Sequence, residues 1–155
     1  MKYARLTMEQ FLALENEFIR FLATQSITGP EWEQIKKNKP EVAEAELDVF
    51  SDLIWEGVLA KVRYLENTNA QQCFLFGIAD NGMELIHIKI KDKSKDLNNP
   101  EDLAWVCNNM NHRSISVKHG QKKFMTDKHQ EIFRLLQQGA QITEGTYFEA
   151  IRKVF

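Results

Sequence analysis

Apolar residues at Phe11, Leu14, Phe18, Phe21 and Leu22 recur at the spacing of one helix face. Thr7-Met8-Glu9-Gln10 ahead of them has the form of a capping box, with Thr7 as N-cap and Gln10 at N3, so the pattern predicts a helix from Thr7 to about Gln25. Thr28-Gly29-Pro30 starts a second, short helix, Pro30 being preset for a first helical turn, and Lys39-Pro40 ends it. Pro40 opens a third helix to about Lys61. Its apolar positions, Val42, Leu47, Val49, Phe50, Leu53, Ile54, Val58 and Leu59, cover most of the circumference and predict a largely buried helix.

A change of period from helical to alternating marks residues 72–91. Phe74, Phe76 and Ile78 share one face of a strand, Ile86, Ile88 and Ile90 share one face of the return, and Asp80-Asn81-Gly82 lies between. A two-residue Asn-Gly turn would send the two apolar faces to opposite sides of the sheet. A three-residue loop with Gly82 left-handed sets Phe76 opposite Ile86 and Phe74 opposite Ile88, and this register is the one expected. Arg63 to Glu66 and Ser114 to Lys118 read as short flanking strands. Asn99-Pro100 caps a helix to about Met110, Thr126 caps one to Gln138 that Gly139 ends, and Thr143 caps a last helix to the carboxyl end. The fold class expected is α+β: a helical N-terminal half, a small antiparallel sheet built on the 72–91 hairpin, and C-terminal helices.

With 155 residues, 43% hydrophobic and 27% charged, the chain is an ordinary globular one, and residues 1–155 are read as a single domain. The amino terminus runs into a polar helix pattern without the apolar stretch of a secretory signal, and no long apolar span follows, so a cytoplasmic protein without membrane attachment is expected. Cys73 and Cys107 form no CxxC and read as reduced, buried thiols.

Net charge is only −2 but unevenly placed. Residues 41–56 carry six acids and no base, whereas residues 113–129 carry five bases and one acid. On the third helix Glu44, Asp48, Asp52 and Glu56 follow one another at four-residue intervals, an arrangement in which each neighbouring pair repels by about 0.2–0.5 kcal/mol. Trp55 projects into that stripe, beside Asp48 and Asp52. An aromatic among unpaired acids calls for a cover, and these five residues are the candidate surface for a protein partner, for a basic segment of a second copy in a homodimer, or for the chain's own residues.

Candidate chemistry elsewhere is thin. Glu84-x-x-His87 has the spacing of carboxylate-bridged metal sites, but on a strand the two side chains point to opposite faces. His112 and His119 lack a third ligand, His129 reads as a core-edge residue, and there is no Gly-x-Ser-x-Gly or glycine-rich phosphate loop, so neither metal nor cofactor is expected. Arg113, Lys118, Lys122 and Lys123 could meet a phosphate backbone if they formed one exposed face, although the acidic balance and the lack of an RNP-type aromatic pattern argue against nucleic acid. The helix from Thr143 sets Glu144 and Glu149 against Arg152 and Lys153 and has no positive balance for a DNA groove.

The stretches Phe21 to Thr28, Lys39 to Val42 and Phe50 to Leu59, with Ile132 to Ala140, resemble an uncharacterised family of small proteins from Bacteroidota. That resemblance implies a bacterial, cytoplasmic origin and brings no activity, cofactor or catalytic residue. The reading is a non-enzymatic interaction module using Glu44, Asp48, Asp52, Trp55 and Glu56; the alternatives are a small enzyme of unknown reaction, marked by a pocket where His or Asp/Glu converge, and a weak nucleic-acid binder.

Overall fold

The computed structural model describes residues 1–155, which form two compact units, 1–60 and 61–155. The first is helical: α1 (Met8–Ala13), α2 (Glu15–Thr24), α3 (Gly29–Asn38) and α4 (Pro40–Ala60). The capping box at Thr7 is formed, with both reciprocal bonds present. The single helix expected to Gln25 is instead interrupted at Leu14, whose φ of −109° and ψ of 23° leave the helical region. Ser26, left-handed at φ 60°, ends α2, and the Ile27 N–H donates to the Leu22 carbonyl at 3.0 Å, a Schellman closure.

Phe50 of α4 is the centre of this unit, 1% exposed, with the ring of Phe18 edge-on at 5.0 Å and those of Phe11 and Phe21 at 6.0 and 5.4 Å. Aromatic pairs at these separations add about 0.5–1.5 kcal/mol each beyond the area they bury. The expectation that α4 is largely buried is corrected. Ala43, Phe50, Ser51 and Leu59 are buried, but Val49 and Leu53 are 55% and 57% exposed, because α4 packs one face on the other helices and turns a second apolar face outward.

The second unit holds a five-stranded antiparallel sheet in the order β4-β3-β2-β1-β5: β1 (Tyr64–Thr68), β2 (Gln72–Ile78), β3 (Gly82–Ile90), β4 (Ile115–Lys123) and β5 (Gln141–Thr143). Three helices accompany it, α5 (Pro100–Asn108), α6 (Lys128–Gln137) and α7 (Thr146–Arg152). The chain is thus α+β, and no helix is long and apolar enough to cross a membrane.

The hairpin sits where the alternation puts it, but its register is corrected. Ile78 faces Met83, Phe76 faces Leu85 and Phe74 faces His87 across a four-residue turn closed by the Ala79 N–H on the Gly82 carbonyl at 2.8 Å. The expected pairing assumed one buried face. In the structure both are buried: Cys73, Leu75, Ile86, Ile88 and Ile90 on one, in the core built with Leu103 and Val106 of α5 and Phe148 and Ile151 of α7, and Phe76, Ile78 and Met83 on the other. Nor is Gly82 left-handed; its lack of a side chain admits the β4 backbone, since a Cβ there would lie 2.2 Å from the Lys122 carbonyl oxygen.

Three further boundaries move. The expected strand from Ser114 runs on to Lys123 and takes in most of the polar segment before α6. Asp127, not Thr126, caps α6, its carboxylate accepting from the His129 and Gln130 N–H groups at 2.9 and 3.2 Å. Thr143 ends β5 against β1, so the last helix starts only at Thr146.

Gly77 of β2 is the position that seats α7 on the sheet, because a Cβ would stand 2.5 Å from Cζ of Phe148. Gly77→Ala is expected to cost about 1–3 kcal/mol by overpacking. Urea denaturation checks it, with Phe148→Leu in the same chain expected to recover part of the loss.

Candidate functional site

Residues 1–7 form no helix or strand, and Lys2 to Leu6 lie along α4 in the opposite direction to it. They supply the cover that the acidic stripe demands. The backbone N–H groups of Lys2 and Tyr3 donate to the two carboxylate oxygens of Asp52 at 2.6 and 2.9 Å. One turn on, Glu56 Oε1 accepts from Lys2 Nζ at 2.8 Å and from the Tyr3 hydroxyl at 2.6 Å. One turn back, Arg5 donates from Nε to Asp48 at 2.7 Å and lies 2.9 Å from the Glu44 carboxylate. The Trp55 indole N–H donates to the Ala4 carbonyl at 3.1 Å, and Leu6 N–H donates to the Ser51 hydroxyl.

All five stripe residues are therefore brought together, but on the chain's own arm instead of as an open acidic face. The proximity shows in the titration of the arm. Burial and the hydrogen bond to Glu56 push the Tyr3 phenol up to about 12. Desolvation pulls Arg5 down, yet its bonds to Asp48 and Glu44 outweigh it and hold the guanidinium above its ordinary value.

Beside the arm the helical unit carries a groove of about 640 Å³. Phe11, Leu12, Phe18, Ile19, Trp32 and Leu47 line it, and Arg5 and Glu44 stand at one edge. Leu12 and Ile19 are 68% and 56% exposed, which is unusual for large aliphatic residues beside an aromatic core. Residues 1–60 hold eleven acids and six bases, a net charge of −5, and the charged groups of the groove itself are Glu15, Glu33 and Glu44 with Arg5 and Lys36. The sequence pattern does not reveal it, because Phe11, Phe18 and Leu47 read as core while Leu12 and Ile19 fall outside the apolar face that the helical spacing picks out.

The second unit carries eleven acids and fourteen bases, net +3. A cavity of about 650 Å³ opens where the hairpin turn, the ends of β1 and β4, and α7 meet. In it Arg152 grips Glu84, Nε to Oε2 at 3.0 Å and Nη2 to Oε1 at 3.3 Å, and from outside the lining His119 Nε2 lies 3.2 Å from Glu84 Oε2. The Arg152 bond holds the Glu84 carboxyl below the usual carboxylate range. Tyr64 donates to Glu149 at 2.8 Å, and that bond, with burial, raises the Tyr64 phenol. Acidic and basic groups do converge here, but these two are moved away from neutrality.

The remaining candidates separate. Glu84 and His87 lie on opposite faces of β3, His87 stacked on Phe74 at 4.3 Å with its ring below the usual imidazole range through burial and the nearby Lys118 and Lys89. His112 turns onto Ser114 at 2.7 Å. Burial pushes the thiols of Cys73 and Cys107 up to about 11, away from the thiolate. Of the basic residues, Lys118 and Lys122 share one face of β4, Lys123 the other, and Arg113 precedes the strand; Lys122 also reaches the buried carboxylate of Glu131 at 3.3 Å. The four do not make one face.

The Glu84 clasp sets a pH dependence. A folded-state pKa below the unfolded value contributes stability that is present above the unfolded pKa and lost as pH falls through the folded one. The stability difference between wild type and Glu84→Gln should thus be full at neutral pH and vanish in the acid range, and Arg152→Gln should shrink it at neutral pH. Urea melts of these variants at stepped pH read it directly.

Neither the curated proteins nor the solved structures compared with this chain include a match. One family model matches, described as a family of unknown function (DUF6495), and it spans residues 1–155, both compact units. The chain belongs to that family.

Proposed function

We propose that the protein is a non-enzymatic interaction module whose helical unit receives a basic amphipathic helix from a partner. The observation that carries this is the groove: an apolar trough with half-buried Phe11 and Phe18 at its floor and exposed Leu12 and Ile19 beside them, on a unit of net charge −5. Its volume suits a row of side chains from one helix face, the usual means by which an amphipathic helix is held. A soluble surface seldom leaves so many large apolar groups together without a use for them.

The acidic stripe of Glu44, Asp48, Asp52, Trp55 and Glu56 supports the choice of a basic partner. A lysine, a tyrosine and an arginine of the arm fill it in cis, an example on this same unit of a cationic, aromatic-bearing segment held against α4, and the acids left for a partner are those of the groove lining. In this reading the arm fixes one wall of the groove, with Leu6 buried beneath it, and the partner's apolar residues fill the trough while its cations meet the acids around it.

A labelled leucine/lysine amphipathic helix and its leucine/glutamate counterpart, titrated by fluorescence anisotropy, test the proposal. The lysine peptide should bind the full-length protein at least about tenfold more tightly, a difference of about 1.4 kcal/mol. Leu12→Ser with Ile19→Ser, both at exposed positions, should weaken it by a similar factor without lowering stability. Equal affinity for the two peptides, or indifference to the double variant, would refute the reading.

A further inference from the structure

Strand β4 is an edge of the sheet, paired on one side with β3 and on the other with nothing in the strand order. Its register and two flanking bonds decide which backbone groups are free. Lys91 N–H donates to the Ser114 carbonyl and Phe124 N–H to the Asn81 carbonyl, so the pairs 91:114 and 81:124 are hydrogen-bonded ones. Hydrogen-bonded pairs alternate along an antiparallel ladder, which makes Ser116, Lys118, Gly120 and Lys122 the residues bonded to β3. Val117, His119, Gln121 and Lys123 then aim both N–H and C=O away from the sheet. From Lys118 to Lys123 every residue is exposed.

The side chains along this edge are of one sign. Ile115–Lys123 contains Lys118, Lys122 and Lys123 and no acid. Lys118 stands on one face of the strand, with Lys122, which is engaged by Glu131, and Lys123 stands on the other, so a chain laid against the edge would meet Lys118 or Lys123 whichever way its side chains point. Lysines at an edge commonly keep other strands away. They do so by charge, which repels a basic or apolar strand and attracts an acidic one. A second copy of β4 is thereby excluded as the occupant, since any register would set this lysine-rich strand on itself.

We infer that the β4 edge is a docking site for an extended acidic peptide segment, which adds as a sixth, antiparallel or parallel strand through the outward groups of Val117, His119, Gln121 and Lys123. Backbone bonds would give the affinity and the lysines the choice of partner. The surface lies in the sheet unit and is independent of the groove proposed above. The two would make the protein a bridge between a basic helix and an acidic extended segment.

The test uses the full chain and an alternating glutamate/valine peptide of the strand's length, followed by amide hydrogen exchange. Binding should slow exchange at Val117, His119, Gln121 and Lys123, and should weaken steeply with salt. N-methylation of the peptide backbone should abolish it, as should Gln121→Pro, which removes an outward N–H and leaves the bonds to β3 in place. Lys118→Glu with Lys123→Glu should reverse the preference toward a lysine/valine peptide. The inference fails if the acidic peptide does not bind, if N-methylation changes nothing, or if protection maps elsewhere. It fails also if a short oligothymidylate competes the peptide away and proves the tighter ligand, which would make the strand a nucleic-acid surface.

Discussion

Four carboxylates one turn apart on a single helix face are a like-charge ladder, and α4 carries it because Lys2, Tyr3 and Arg5 lie across it. Three neighbouring repulsions of about 0.2–0.5 kcal/mol each would otherwise weigh on the helix. A lone exposed ion pair contributes little, but here two cations, two backbone N–H groups and a phenol converge on one stripe, and the side chains are partly shielded from water. The indole bond of Trp55 to Ala4 and the hydroxyl of Ser51 under Leu6 hold the arm in line. From that placement follow the burial of Leu6 and the position of Arg5 and Leu6 beside the apolar groove.

The two units differ in charge and in what they leave exposed. The helical unit, net −5, has a small buried core round Phe50 and leaves aliphatic side chains at the rim of a trough. The sheet unit, net +3, buries both faces of its hairpin and leaves a strand edge lined by lysines. The first offers apolar side chains at the trough, and the second offers backbone groups along the outer side of β4.

Much of the fold was legible in the sequence. The capping box at Thr7, Pro30 and Pro100 at helix starts, and the alternation over 72–91 each act through local chemistry and placed their elements. The need for a cover over Trp55 was legible too, from the mismatch of an indole in an acidic stripe. What supplies the cover was not, because residues 2–6 have no periodicity, and only their contacts with α4 give them a conformation. The hairpin register was missed for a different reason: alternation reveals one buried face, and β2 is buried on both. Strand β4 was shortened because its residues are polar on both sides, as an exposed edge allows, so no pattern separates it from a loop. The groove escaped notice since depth of burial is not written in the identity of a phenylalanine.

If attraction between the arm and the acidic stripe organises the helical unit, urea unfolding across a salt series will show it. Wild type and a Lys2→Ala/Arg5→Ala variant would be compared, both with Trp105→Phe, so that the remaining indoles, Trp32 and Trp55, report residues 1–60. Charges on the surface are screened over about 10 Å at 0.1 M salt. The wild-type midpoint should fall as salt rises. The variant should start lower and climb, as screening relieves carboxylates left facing one another. Parallel salt curves for the two proteins would contradict that organising role, and would mean that the arm rests on α4 without holding it.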